Sequence, residues 1–250
     1  MVRRLIKANG THLYKYGSNL VYLKEMLLEN KVYFARHSQL NDPRELKPVL
    51  ADLTKEEIIA FLLELHPNPS EKIKVETIYG LNTFGQEAVM EKLREVLYKE
   101  LDQRFGVYSL TNRVNNMALW AHYGNDHKGY CMELQNAGLF SLAHDVIYEK
   151  LQIRKLSTPI DHKKMSREFC EDLFTKAVEW NYEEEVRIVL RPGFHFFTPE
   201  VLTSVMLGKD MPDEHIRQIA EWVSQRKLSV VLKKARYNSA NQQLESLMVD

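Results

Sequence analysis

The sequence has few cysteines: of its 250 residues only Cys131 and Cys170 are cysteine, and they do not form a Cys-x-x-Cys pair. The sequence therefore suggests neither a disulfide framework nor a cysteine-rich zinc knuckle, and we expect both thiols to be reduced core residues, Cys131 in a strand and Cys170 in a helix. No apolar run approaches the roughly 18 residues of a spanning helix, and the N-terminus lacks the apolar stretch of a signal peptide. We expect a cytoplasmic protein without membrane interactions.

The chain also lacks an excess of charge, because 34 Lys and Arg residues balance 34 Asp and Glu residues. This neutrality gives no electrostatic argument for a broad nucleic-acid or anionic-membrane surface, although it is compatible with a local basic groove. Phosphate-binding glycine loops, Gly-x-Ser-x-Gly and His-Glu-x-x-His have no match. His122 and His127 are five residues apart, which does not place two imidazoles on one helical face, so no metal site is predicted. A carboxylate-bound magnesium ion stays open.

Apolar residues make up 44% of the chain and aromatic residues 10%, enough for a substantial buried core. Strand patterns recur at residues 12–16, 31–35, 105–111, 128–134, 145–149, 184–190 and 228–233, and helical patterns lie between them. This alternation predicts an α+β fold with a mixed, mostly β core and surrounding helices. We expect a single domain of residues 1–250 with a helical insertion at residues 50–104.

Helix boundaries are signalled by capping residues. Asn19 is the polar cap of a helix that Asn30 closes, and Thr54-Lys-Glu-Glu57 is a capping box that opens the insertion. Thr83-Phe-Gly-Gln86 would open a second long helix there, with Pro67-Asn-Pro69 as the turn between the two. Two later helices are predicted at residues 165–179 and 212–226.

The densest set of polar side chains lies in Trp180-Asn-Tyr-Glu-Glu-Glu-Val-Arg-Ile188, which passes from the predicted end of a helix into a strand. Side chains alternate along a strand, so Glu183, Glu185 and Arg187 would share one face. Two carboxylates on one face raise each other's proton affinity unless a cation or a donor intervenes. The pattern fits either an active-site pair of carboxylates or a solvated acidic turn neutralised by Arg187.

Two further segments carry polar or aromatic residues beside predicted strands. Asn41-Asp-Pro43 is a strong turn former, but Asn41 and Asp42 also stand where a ligand hydroxyl is often held. Ser109 and Thr111 would face one side of a strand and offer two hydroxyls to a ligand or to the backbone. Trp120 and Tyr123 would fall on one side of a helical turn, as core residues or as a stacking platform.

Several segments follow one another in a recognisable order. They are Leu13-Tyr-Lys-Tyr16; Tyr33-Phe34 with Leu40-Asn-Asp-Pro43; Leu119-Trp-Ala-His-Tyr123 with Gly129 and Glu133; Trp180-x-Tyr-Glu-x-Glu-x-Arg-Ile188; and Val205-Met-Leu-Gly208. This order, over residues 13 to 208, resembles the bacterial domain-of-unknown-function family 2971. The chain departs from the family pattern at Arg44, which separates Asn-Asp-Pro from Glu45, and in the insertion. The family name implies no activity.

A second set of residues is similar, more distantly, to ADP-ribosyltransferases. His12 or Lys15 would match the His or basic residue on the first strand of their split β core, Ser109 with Thr111 the Ser-x-Thr strand, and Glu183 with Glu185 the later Glu-x-Glu. The resemblance implies that NAD is the substrate.

The resemblance also assigns roles. Glu185 would stabilise oxocarbenium character on the ribose, and Glu183 would orient or deprotonate the acceptor. Ser109 and Thr111 would hold the substrate, and Lys15 or His12 would contact phosphate or ribose. The nicotinamide ring would stack on the side chain of Tyr16, Tyr108 or Trp120.

Three hypotheses follow. The leading one is an ADP-ribosyltransferase-like enzyme that transfers ADP-ribose from NAD to a protein or nucleic-acid acceptor, in bacterial defence or as a toxin. The second is a module that binds a small ligand or peptide without turnover, its pocket lined by Asn41, Asp42, Trp120, Tyr123 and Arg187. The third is a magnesium-dependent nuclease built on Asp42, Glu183 and Glu185, which the neutral charge disfavours.

The enzymatic hypotheses require residues far apart in the sequence to meet. We predict that the strands bearing residues 14–16, 107–111 and 185–189 share one core, with residues 41–43 and 120–123 at the rim of a common pocket. Ser109, Glu183 and Glu185 should open into one cleft. Arg187 should pair with Glu185, Glu183 or Asp42, because a partly buried carboxylate cluster needs a fixed cation.

Overall fold

The computed structural model describes residues 5–42, 44–65, 68–150, 153–155, 162–241 and 243–249. The helices are α1 (Leu20–Glu29), α2 (Lys55–Glu64), α3 (Glu71–Phe84), α4 (Gln86–Arg104), α5 (Met117–His122), α6 (His162–Leu173) and α7 (Asp213–Ser224). Short 3-10 helices cover His37–Gln39, Gly138–Leu142, Val178–Glu183 and Pro199–Val201. Within the described ranges, no helix is both long enough and apolar enough to span a membrane.

The strands are β1 (His12–Gly17), β2 (Lys31–Arg36), β3 (Val49–Leu50), β4 (Gly106–Thr111), β5 (Tyr130–Gln135), β6 (His144–Asp145), β7 (Ile147–Tyr148), β8 (Ile153–Arg154), β9 (Thr175–Lys176), β10 (Glu185–Leu190), β11 (Gly193–Phe196), β12 (Leu202–Leu207), β13 (Val231–Asn238) and β14 (Gln243–Met248). Most of them join one large mixed sheet, in which β12 and β13 are parallel and the other pairs antiparallel. The predicted α+β fold class is confirmed.

Local capping explains where the first helices begin and end. The side chain of Asn19 accepts a hydrogen bond from the Val21 amide at the start of α1, and Asn30 ends the helix in the left-handed conformation, with φ 52°. Thr54 and Glu57 form the capping box of α2, in which each side chain accepts from the other's backbone amide. These predictions, which rest on residues within one turn of the boundary, are confirmed.

The internal structure of the insertion differs from the prediction. Thr83 does not open a helix: it lies inside α3, which Ser70 caps, and the positive φ of Gly85 (85°) separates α3 from α4. The helices α2, α3 and α4 pack around a small apolar cluster centred on Ile58, Leu81 and Met90. That this stretch is an insertion in a single domain stays a prediction, and Pro67 of the predicted turn lies outside the described residues.

The predicted helix at residues 165–179 is wrong in its second half. The helix α6 ends at Leu173, and β9 then pairs in parallel with β7, so that Phe174 and Lys176 accept backbone hydrogen bonds from the β7 region. Pairing with a distant strand has overridden the local helical pattern. Cys131 is buried in β5, but Cys170 is exposed on α6, so its predicted place in the core is wrong.

Helices cover one face of the large sheet. α1 and α7 pack there through Leu23, Leu27 and Ile219, against Leu13 and Val205 of the sheet. A second cluster lies apart from this one and contains Tyr16, Trp120, Cys131 and Met206. The strands thus carry apolar side chains into more than one cluster, and polar residues among them need a specific environment.

The sheet divides at β4. Its partner β10 follows one edge of β4 over its whole length, from Glu185 opposite Thr111 to Leu190 opposite Gly106. The other edge is shared: β2 pairs with Gly106 and Val107, and β1 pairs with Thr111 at the opposite end. Within the described chain, no strand pairs with residues 108–110 on that edge. We call this interruption between β1 and β2 the gap.

Candidate functional site

A cavity of about 230 Å³ lies at the gap and is called the first cavity. It is lined by β1, by the segment that follows β2, by the second half of β4 and by the residues that precede and begin β10. Predicted site residues in this lining are Lys15, Tyr16, Asn41, Asp42, Ser109, Thr111, Tyr123, Glu183 and Glu185. Ser109, Glu183 and Glu185 therefore open into one cleft, as the convergence argument requires.

The turn before β10 brings the two carboxylates together. Glu183 ends a 3-10 helix rather than lying in the strand, so strand alternation does not apply to it, and Glu184 adopts a left-handed conformation with φ 42°. The Thr111 hydroxyl donates to the backbone carbonyls of Glu183 and Glu184, at 2.7 and 3.2 Å. The Thr111 hydroxyl thus fixes the turn. Of the two predicted partners for this hydroxyl, a ligand or the backbone, the structure shows the backbone.

Arg187 is fully buried and holds two carboxylates. Its guanidinium donates to both oxygens of Glu185, at 2.8 and 3.0 Å, and to the Leu173 carbonyl at 2.8 Å. It also donates to Glu45. The predicted pairing of Arg187 with Glu185 is confirmed, whereas Glu45, the residue after the family departure at Arg44, was not predicted to take part.

Lys176 of β9 is a second buried cation that the sequence analysis missed. Its ammonium donates to Glu183 at 2.5 Å and to Glu185 at 3.0 Å, and lies 3.7 Å from Glu45. The signal available in the sequence was a single lysine inside the otherwise apolar run from Leu173 to Val178, broken only by Thr175. A lysine in such a run is costly to bury unless carboxylates receive it.

Glu45, Glu183, Glu185, Lys176 and Arg187 form the buried cluster. Burial alone would raise the pKa of Glu185, but the charges of Arg187 and Lys176 outweigh it and lower the pKa to about 2. Burial raises the pKa of Glu45, which Arg187 opposes. Burial would lower the pKa of Lys176, yet the carboxylates raise it above its usual value. Glu185 is therefore ionised at any working pH, and with all groups ionised the cluster carries one net negative charge.

Two aromatic residues fix the rim of the first cavity. The Tyr123 hydroxyl donates to Glu183 at 2.7 Å, and burial followed by the Glu183 charge raises the pKa of Tyr123. The Trp180 indole donates to Asp42 at 3.0 Å, and Arg44 binds the same carboxylate. Burial would raise the pKa of Asp42, but these hydrogen bonds lower it below its usual value. Asp42 thus orients the rim as an ionised acceptor.

Lys15 contributes a basic side chain to the wall of the first cavity. It is half-buried, and its ammonium lies 5.0 Å from the centroid of the Tyr108 ring. Among the residues that the structure describes, none accepts a hydrogen bond from the Lys15 ammonium or forms an ion pair with it. Burial lowers the pKa of Lys15, and the more distant charges of Glu185 and Glu183 offset this only in part. An anionic ligand group would supply the missing partner.

Three predicted site residues lie outside the described lining of the first cavity. His12 begins β1, two residues before Tyr14, which pairs with Thr111 at the end of β4. Trp120 is completely buried and meets the Tyr16 ring edge-on, with centroids 5.1 Å apart. Arg187 sits behind Glu185. Of the two first-strand alternatives, Lys15 is the one that reaches the cavity, and Pro43 lies outside the described residues.

The carboxylates are not arranged as a metal site. Among the described residues, no group of three or more His, Cys, Asp or Glu side chains is placed to hold a metal ion. Lys176 and Arg187 occupy the oxygens of Glu183 and Glu185, and Asp42 turns towards Trp180 and Arg44. This geometry does not favour the magnesium-dependent nuclease.

Comparison with known proteins supports one family over part of the chain. Residues 119–188 match the profile of a family described as "Protein of unknown function (DUF2971)". The matched stretch includes Tyr123, Lys176 and the two carboxylates Glu183 and Glu185 of the first cavity. No curated protein and no solved structure matches the chain. The chain is therefore similar to a family whose description assigns no activity, and its function has to be argued from the site.

Proposed function

We propose that the first cavity is the active site of an ADP-ribosyltransferase-like enzyme that cleaves NAD and transfers ADP-ribose to an acceptor. One observation carries the proposal: Lys15 of β1, Ser109 of β4 and the carboxylates Glu183 and Glu185 before and in β10 line one cavity at a gap in the sheet.

Charge supports this substrate. NAD carries a cationic nicotinamide ring and an anionic diphosphate. The buried cluster has one net negative charge when its groups are ionised, and Lys15, with which no described carboxylate pairs, lines the same cavity. The nicotinamide riboside would lie towards Glu183 and Glu185, and the diphosphate towards Lys15.

The chemistry then follows from these positions. The bond from ribose C1′ to the nicotinamide nitrogen breaks, its electron pair leaves with neutral nicotinamide, and positive charge develops on the ribose. Glu185, ionised and fixed, would stabilise that charge, and Ser109, which lines the same cavity, would contact the substrate. The acceptor would attack C1′ and lose its proton to Glu183, which Tyr123 and Lys176 hold in place.

The direct test is nicotinamide release from NAD, followed by chromatography. We expect release by the wild-type protein and a loss of about 100-fold or more in the Glu185→Gln and Glu183→Gln variants, since a fixed charge aimed at a transition state contributes that much. Glu184→Gln is the matched control, because Glu184 is half-exposed and pairs with Arg113. Release that is absent, or equal in all four proteins, would overturn the proposal.

A second candidate is a module that binds NAD without turnover. It is favoured by the pairing of both Glu185 oxygens with Arg187 and of one with Lys176, which weakens the field that Glu185 can exert on a ribose. Thermal stabilisation by NAD without nicotinamide release would select this candidate. Stabilisation with release would select the enzyme.

A further inference from the structure

A second cavity, of about 320 Å³, adjoins the first at the gap. Lys15, Ser109 and Tyr123 line both cavities, together with Tyr16, Gln39 and Leu40. The second cavity then extends away from the carboxylates, towards α1 and β2, and neither Glu183 nor Glu185 is among its lining residues. The proposed reaction places the NAD diphosphate at Lys15, where the two cavities meet, and assigns no group to the rest of this space.

Aromatic rings dominate the wall of the second cavity. Tyr22 and Tyr33 are parallel, with centroids 5.7 Å apart, and Phe194 meets Tyr33 nearly edge-on at 5.2 Å. Tyr108 and Tyr130 also line the cavity. Tyr22 and Phe194 leave 42% and 48% of their surface exposed, and the Lys31 ammonium lies 4.7 Å from the centroid of the Phe194 ring. Such a wall suits a planar aromatic ring, which stacks on it or meets it edge-on.

Two lysines that line the second cavity, Lys15 and Lys31, differ in whether a described carboxylate pairs with them. Lys31 of its wall is satisfied, because its ammonium pairs with Glu25 and with Glu29. Lys15 has no such partner within the described part of the chain, although it lies at the junction of the two cavities. The second cavity is therefore lined both by aromatic rings and by a lysine with which no described carboxylate pairs.

We propose that the second cavity is a binding site for a nucleoside monophosphate, with the base against Tyr22, Tyr33 and Phe194 and the phosphate at Lys15. A base offers a planar ring, and a phosphate offers the negatively charged partner that the described residues do not supply to Lys15. A polar edge is provided for the base by Ser18, Asn19 and Gln39, which also line the cavity. The site goes beyond the proposed function, because binding there requires no cleavage in the first cavity.

The test is calorimetric titration of the full chain with adenosine 5′-monophosphate, adenosine and inorganic phosphate. We expect the monophosphate to bind at least about tenfold more tightly than either fragment, since only the monophosphate carries both the base and the phosphate. Lys15→Met and Phe194→Ala should each weaken binding by about tenfold or more. Phe196→Ala is the matched control: Phe196 lies on the same strand, is 75% exposed and does not line the cavity.

The outcome separates this site from the proposed enzyme. Glu183→Gln should leave binding of the monophosphate unchanged while abolishing nicotinamide release, because Glu183 lines only the first cavity. Monophosphate binding in a protein that releases no nicotinamide would support the site and contradict the enzyme. Equal binding of monophosphate and fragments, or equal effects of Phe194→Ala and Phe196→Ala, would overturn the site.

Discussion

Two lysines at the site show how much a charged residue depends on its partners. Lys176 is buried and faces three carboxylates, of which Glu183 and Glu185 accept its hydrogen bonds. Lys15 is half-buried and, among the described residues, has the Tyr108 ring as its neighbour but no carboxylate in contact. The same side chain is thus stabilised by carboxylates at position 176, whereas at position 15 its burial is not offset by a described carboxylate in contact.

The substitution of each lysine by methionine should therefore have opposite effects. Burial lowers the pKa of Lys15, which means that the fold disfavours its charged form. We therefore expect Lys15→Met to stabilise the protein by about 1 kcal/mol, or to raise Tm by about 2–4 °C. Lys176→Met leaves buried carboxylates without their cation and should cost about 3–5 kcal/mol. Chemical denaturation measures both values at pH 7. A loss of stability in Lys15→Met would mean that Lys15 has a structural partner.

At the scale of elements, the site depends on how α5 is attached to the turn before β10. The Asn116 side chain caps α5 by accepting from the amides of Ala118 and Leu119. Its amide group also donates to the Tyr182 carbonyl at 2.7 Å. One residue therefore joins the helix that carries Tyr123 at its end to the turn that carries Glu183.

Removal of this link should affect both stability and activity. We expect Asn116→Ala to cost about 1–2 kcal/mol, since the cap and a part-buried hydrogen bond are lost together. Nicotinamide release should fall as well, because Glu183 is held through this turn. Ser70→Ala removes the cap of α3, which lies outside the cavity, and should cost about 1 kcal/mol with release unchanged. Similar release by both variants would show that the link does not position the site.

The elements themselves were predictable where their signals are local. Asn19, Asn30 and the Thr54 capping box fixed their helix ends because the interacting groups lie within one turn. β9 was not predictable, since its two residues become a strand through a partner in β7. The helix starting after Ser70 was missed because its N-cap was overlooked in favour of Thr83, although the cap is visible in the sequence.

The candidate site was predictable only in part. Ser109, Glu183 and Glu185 were recognised from their residue types and spacing, and they do meet in one cavity. Glu45 escaped notice because its role depends on Arg187, 142 positions further along the chain. The gap depends on which strands share one edge of β4, and no short pattern encodes a pairing register between distant segments.

For the whole molecule, the buried cluster predicts sensitivity to acid. Glu185 has a pKa of about 2 in the fold against an ordinary value of 4.5, so its contribution to stability is complete above pH 4.5 and is lost as the pH falls towards 2. This contribution is about 3 kcal/mol, whereas the raised pKa of Glu45 acts in the opposite direction. We expect Tm to fall steeply below pH 4.5 in a thermal scan from pH 7 to pH 3.

Two variants check the origin of this fall. Glu56→Gln removes an exposed carboxylate of α2 and should follow the wild-type curve. Glu185→Gln should be less stable at pH 7 but should lose less of its remaining stability between pH 4.5 and pH 3. A Glu185→Gln curve parallel to that of the wild type would place the acid sensitivity elsewhere in the molecule.

The gap also determines how relatives of this protein could be found. Along residues 108–110 of β4, the edge that faces the gap consists of backbone groups, and no described strand pairs with it. Backbone donors and acceptors persist through every substitution except proline, whatever the side chains around them become. Two chains could therefore share this edge without sharing a single residue of the lining. Their relationship would be detected from the order and register of strand pairing and not from a sequence alignment.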